Sequence, residues 1–203
     1  MMKKLLVALL FLFSWNIVSR ADSPLTSTDF AEAYSSSPMV MMAKGVQGDI
    51  PTALLSFLAD SKAPIDERLA VVNQLGWDIE GTTIDSQLYN YLARTYKIAD
   101  DSSLVEELDA GTLAVYAYAM AMSDYFDVSH ASWLGHQAVA KNESKSFSVA
   151  MISALIDAQD YLSGDWSMVY KVVADVVADK TLRRDMKREA IDIIMEYINL
   201  YKD

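Results

Sequence analysis

The chain has 203 residues, no cysteine, and 17 basic against 28 acidic side chains, for a formal net charge of −11. So acidic a surface repels phosphate backbones and anionic lipid, and neither nucleic acid nor a charged membrane surface is expected as a partner. The absence of cysteine excludes disulfides, thiolate zinc sites and thiol catalysis together.

Lys3 and Lys4 precede an apolar run over residues 5–13, and Val18-Ser19-Arg20-Ala21 supplies small residues where a signal peptidase reads. Residues 1–21 are therefore expected to be a signal peptide, and residues 22–203 a single exported domain, periplasmic or secreted. Cleavage would remove three of the 17 basic residues, leaving 14 against 28 acidic ones and a net charge of −14. About 180 residues suffice to bury a core without staples.

A short helix is expected over 28–34, then a brief apolar turn over 38–42. Asp49 reads as the N-cap of a helix with Pro51 in its first turn and Leu54, Leu55, Phe57 and Leu58 on its apolar side. Ala63-Pro64 opens the next, with Leu69, Val72 and Leu75 facing the core and Gly76 as its stop, followed by a connection over 77–81. Thr83 starts a helix through Tyr96, and Ser103 and Glu106 have capping-box spacing.

Residues 110–122 carry no charge, and acids bracket them: Glu106, Glu107 and Asp109 before, Asp124 and Asp127 after. At 100° per residue, Leu113, Tyr116 and Met120 form one ridge and Val115, Tyr118 and Met122 a second, with Ala114, Ala117 and Ala121 between. A helix apolar almost all round is a buried one. Thirteen residues rise only about 20 Å, too short to span a bilayer. Asp127 or Ser129 starts a helix through Trp133, His136 and Val139; another is expected over 147–162, closed by Gly164. The valines at 169, 172, 173, 176 and 177 have helical rather than alternating spacing, behind Asp165 as a cap. A last helix is expected over 181–201. The fold class is all-α: stacked antiparallel helical hairpins, as a compact bundle or a short irregular solenoid, around the buried helix 110–122.

Two segments, 48–76 and 164–194, each pair a Gly-Asp helix start with a later Arg-x-Ala-type helix, Arg68-Leu69-Ala70 and Arg188-Glu189-Ala190. This pattern resembles the HEAT-type helical repeat, and the resemblance implies a helical-hairpin fold.

No nucleophile-elbow, zincin, P-loop or dinucleotide motif is present, and no cofactor is expected. His130 and His136 lie about 120° apart on a helix, which prevents a shared first coordination shell. Asp124, Asp127 and His130, spaced by three, are the candidate metal ligands and would serve the alternative reading of a small exported hydrolase. The pairs Asp157/Asp160 and Asp175/Asp179 have the residue types of a glycosidase acid and base, but both lie on polar helix faces. Met39, Met41 and Met42 fit packing better than copper(I).

Charge is distributed unevenly. Residues 45–140 hold 4 basic and 14 acidic side chains, whereas residues 180–188 hold Lys180, Arg183, Arg184, Lys187 and Arg188 against Asp185 alone. Cations in the first turns of a helix oppose its dipole, which suggests docking, either on the acidic part of the same chain or on a partner. Trp77, Glu106, Glu107, Asp109, Trp133, Arg183, Arg184, Lys187 and Arg188 are the candidate partner-binding residues. The leading expectation is an exported protein-binding module that recognises another protein with a basic surface, such as an inhibitor or immunity-type protein against a basic effector. A structural scaffold in an envelope complex is a further alternative.

Overall fold

The computed structural model describes residues 23–78 and 83–202, with the side chains of Trp77 and Asp78 left outside. The expected leader and most of the 77–81 connection lie outside the described residues. The described chain is all-helical: a 3₁₀ turn Phe30–Tyr34, then α1 Pro38–Ala43, α2 Thr52–Ala59, α3 Ile65–Asp78, α4 Ile84–Tyr96, α5 Asp101–Glu107, α6 Ala110–Ser123, α7 Ser129–Ala140, α8 Phe147–Tyr161, α9 Trp166–Ala178, α10 Arg188–Ile198, and a closing 3₁₀ turn Asn199–Tyr201.

Helix α6 is the centre of the packing. Asp109 starts it by accepting from the backbone N–H groups of Gly111 and Thr112 at 2.9 and 3.1 Å. Alanine, leucine and methionine then sustain the helix. It ends at Asp124, whose carboxylate turns the chain by accepting from the N–H groups of Phe126 and Asp127. Residues 112–119, together with Ala121 and Met122, are buried. Ala114, Ala117 and Ala121 are fully so, as the strip between two ridges requires. Helices α2, α3, α4, α7 and α8 all pack on α6. Each of its large side chains taken out of water contributes about 1.5–3 kcal/mol.

Two glycines allow close approach. Gly76 does not stop α3, which runs on to Asp78; a Cβ there would run into the Met122 side chain of α6. A Cβ at Gly135 of α7 would lie 2.9 Å from Ser153 Oγ and 3.5 Å from its Cα, so α7 and α8 cross almost backbone to backbone.

The second HEAT-like segment does not close into a hairpin of its own. Helix α9 packs chiefly on α8, and α10 packs on the first 3₁₀ turn, while α9 and α10 touch only marginally. The two ends of the described chain therefore meet. Tyr34 is fully buried; its hydroxyl donates to Asp66 at 2.9 Å and accepts from the Lys187 N–H at 3.1 Å.

Other expectations were displaced. The capping box falls at Asp100 and Ser103, three residues before the expected Ser103 and Glu106, because Asp100 is the residue in extended conformation where the helix starts. Its exchanged bonds hold the Asp100 carboxyl below the usual range. The last helix begins at Arg188 and not at 181, because the backbone before it bonds to the first turn of α8. Arg183 N–H donates to Lys145 O at 2.7 Å, Phe147 N–H donates to Arg183 O at 3.0 Å, and Asp185 Oδ1 accepts from Ser148 N–H at 2.9 Å.

Candidate functional site

The acidic residues that bracket α6 are exposed to solvent. The short helix α5 carries Asp101, Glu106 and Glu107 outward and packs beside α7. His130 bonds to Asp101 across 3.1 Å, and its ring lies 5.8 Å from that of Trp133. Trp133 is 43% exposed, and Phe126, in the turn held by Asp124, is 83% exposed with its ring 4.4 Å from Tyr125. Asp127 is also exposed, and hydrogen bonds from the Ser129 hydroxyl and then its N–H hold its carboxyl below the usual range. Trp133 thus stands in water on the side of α7 where His130 meets Asp101, and Phe126 stands in water in the turn between Asp124 and Asp127.

The structure does not bring the three candidate metal ligands together. Asp124 and Asp127 cap turns and His130 is turned to Asp101; among the described residues no three His, Asp or Glu side chains form a group able to hold a metal ion. His136 and Ser132 share Asp157 instead, the imidazole at 2.9 Å from one oxygen and the hydroxyl at 2.6 Å from the other. The carboxylate stands between them, so the ring has no path to the hydroxyl proton. The arrangement pins α7 to α8 and lacks the nucleophile–base contact that acyl transfer requires.

Of the candidate partner-binding residues, Glu106, Glu107, Trp133, Arg183, Arg184, Lys187 and Arg188 are open to solvent. Asp109 is exposed too, but it holds the start of α6 and accepts from the Thr112 hydroxyl at 2.6 Å. The Trp77 side chain lies outside the described residues. The basic residues are engaged within the chain. Arg183 pairs with Asp185 at 2.9 Å, and Arg188 with Asp192 at 3.3 Å. Arg184 donates to the carbonyls of Val177 and Asp179 at the end of α9, where a cation favours the helix dipole, and lies 4.3 Å from the Phe147 ring. Lys187 donates to Ala33 O at 3.1 Å and lies 4.5 Å from the Tyr34 ring. The opposition to a helix start disappears for Lys180, Arg183 and Arg184, which lie in non-helical chain, whereas Lys187 and Arg188 stand at the start of α10.

A second feature has no counterpart in the sequence reading. A cleft of about 470 Å³ opens where the starts of α3, α6 and α8 converge. Arg68, Lys141 and Arg183 line it together with Asp66, Asp109, Glu143 and Asp185. Arg68 is buried to 1% exposure, and burial holds its pKa below the ordinary value, opposed chiefly by the charge of Asp109. Its signal in sequence was no more than an arginine beside an apolar run, as in many amphipathic helices.

No protein-family model, no curated protein and no solved structure matches this chain.

Proposed function

We propose that this chain is an exported, acidic protein-binding module that docks a partner protein with a basic surface, as an inhibitor or immunity-type protein would. The observation that carries this reading is the exposure of two large aromatics beside acids, Trp133 next to the His130–Asp101 pair and Phe126 in the turn between Asp124 and Asp127. Large aromatics in water are costly for a monomer and are the usual anchors of a binding surface. The surrounding carboxylates would steer a cationic partner and make the association rate fall with ionic strength.

The test is stopped-flow association with a co-purifying basic protein, comparing the native chain with Trp133→Ala, Phe126→Ser and the pair Glu106→Lys/Glu107→Lys. The aromatic changes should raise the dissociation rate, and the charge reversal should slow association and flatten its salt dependence. Unchanged kinetics in all three variants, or binding indifferent to salt, refutes the reading.

A further inference from the structure

The turn between α6 and α7 and the end of α8 enclose a slot of about 220 Å³. Tyr125, Phe126, Val128 and Leu162 supply its apolar lining, and Gln159 and Asp160 its polar part. The slot is smaller than the roughly 300–1,000 Å³ usual for a small-molecule pocket, and suits a single side chain. Its interior offers a polar ligand little to bond. Gln159 Oε1 accepts from the Leu25 N–H at 3.4 Å and Nε2 donates to Tyr125 O at 3.0 Å, so both ends of that amide are taken. Phe126, in one wall, is the most exposed large apolar side chain among the described residues.

The apolar surface continues beyond the slot. The Trp166 indole N–H donates to Leu162 O at 3.0 Å, and the Tyr201 ring stands edge-on to the indole at 6.0 Å. Trp166 and the neighbouring Leu200 are both exposed. The charges beside this path have one sign. Residues 123–129 and 159–167 hold Asp124, Asp127, Asp160 and Asp165 and no basic residue. All four acids are exposed, and none takes part in an ion pair among the described residues. Asp124, Asp127 and Asp165 accept from neutral N–H and hydroxyl groups, which leave their charge in place.

We propose that the slot beside Phe126 seats one leucine-sized side chain of a partner's peptide segment, with lysine or arginine flanking that side chain. The apolar lining fixes the anchor, and a side chain seated there shields Phe126 from water. The four uncompensated carboxylates supply charge complementarity to the flanks and repel an acidic segment or an anionic lipid surface. The open face of Trp166 suits a flanking cation. This inference rests on the proposed docking of a basic partner, and assigns the part of that partner that makes contact.

The test is a ¹H–¹⁵N NMR titration of the full chain with the synthetic peptide acetyl-Gly-Lys-Lys-Leu-Lys-Lys-Gly-amide. Saturable shifts are expected at the amides of Tyr125, Phe126, Val128 and Leu162 and at the Trp166 indole. Alanine in place of the peptide's leucine should weaken binding about tenfold, and glutamate in place of its lysines should abolish it. Phe126→Ser, at an exposed position, should also weaken binding about tenfold. Asp160→Asn should weaken it for lysine flanks but not for serine flanks. Equal affinity for the leucine and alanine peptides, or for the native and Phe126→Ser proteins, overturns the slot. So do shifts of the same amides with protein concentration alone, which would put a second copy there. Their loss on adding phosphatidylcholine vesicles would put a lipid surface there and overturns it too. If the peptide gives no saturable shift while Phe126→Ser still changes association with the co-purifying basic protein, the slot falls and the docking of a basic partner stands.

Discussion

The side-chain amide of Asn73 donates to the hydroxyl of Tyr118 across 2.9 Å, with both residues fully buried between α3 and α6. The same amide accepts from the Ala31 N–H at 2.9 Å and donates to Thr28 O at 3.1 Å. One polar side chain therefore ties the segment before α1 to two central helices. Burial pushes the Tyr118 phenol well above its ordinary range. Asn73→Leu should leave an N–H, a carbonyl and a hydroxyl buried without this partner, each costing about 1–3 kcal/mol. Tyr118→Phe, which removes only one bond, should cost about 1 kcal/mol. Urea unfolding midpoints of the two variants check this ordering, and equal shifts would refute the hub role.

The α7–α8 crossing gives a second prediction. Gly135→Ala should destabilise by about 1–3 kcal/mol, because the added methyl group meets Ser153 and its backbone. Ser153→Ala should relieve part of this, so the double variant should be more stable than the sum of the single changes predicts. Thermal unfolding of the four proteins of the cycle measures the coupling. Additive losses would mean that the backbones move apart instead.

Burial raises the Asp66 carboxyl, opposed by the bond from Tyr34. A raised carboxylate pKa means that the folded chain holds this proton more tightly than the unfolded one. Its contribution therefore favours folding in acid and turns unfavourable as pH rises above the ordinary carboxylate range. Asp66→Asn remains neutral throughout, so its stability relative to the native protein should improve steadily from acidic to neutral pH. Chemical unfolding at a series of pH values tests the slope, and a flat difference would show that Asp66 is unperturbed in the folded state.

Asp109 must be distinguished from Glu106 and Glu107, although the sequence groups all three as acids before the central helix. Asp109→Ala removes an N-cap and should cost about 0.5–2 kcal/mol in stability. Glu106→Lys and Glu107→Lys, on exposed positions, should each change stability by less than about 0.5 kcal/mol. Circular dichroism melts separate the two classes before any binding is measured.

The central helix was legible because uncharged residues over 110–122 leave no polar face to expose, and side chains set that pattern locally. The valines of α9 were legible for the same reason, and the caps at Asp109 and Asp165 follow from their own carboxylates. Residues 181–187 read as helix because leucine, arginine, methionine and lysine favour it, but the start of α8 offers donors and acceptors that only the folded chain brings near. Asn73 stood out only as one polar residue within an apolar run. The cleft was invisible because its lining comes from the starts of three helices and two loops that are far apart in sequence. The exposed surface of α5–α7 was legible in part, since acidity shows in composition while the outward stance of Phe126 does not.

The bond from Lys187 to Tyr34 joins residues 153 positions apart. A chain still being synthesised cannot seat Tyr34 until nearly all of it has emerged. The contacts of this first turn with α3 and α6 can form earlier, and those with α10 come last. The fold is thus closed by a contact between its first turn and its last helix.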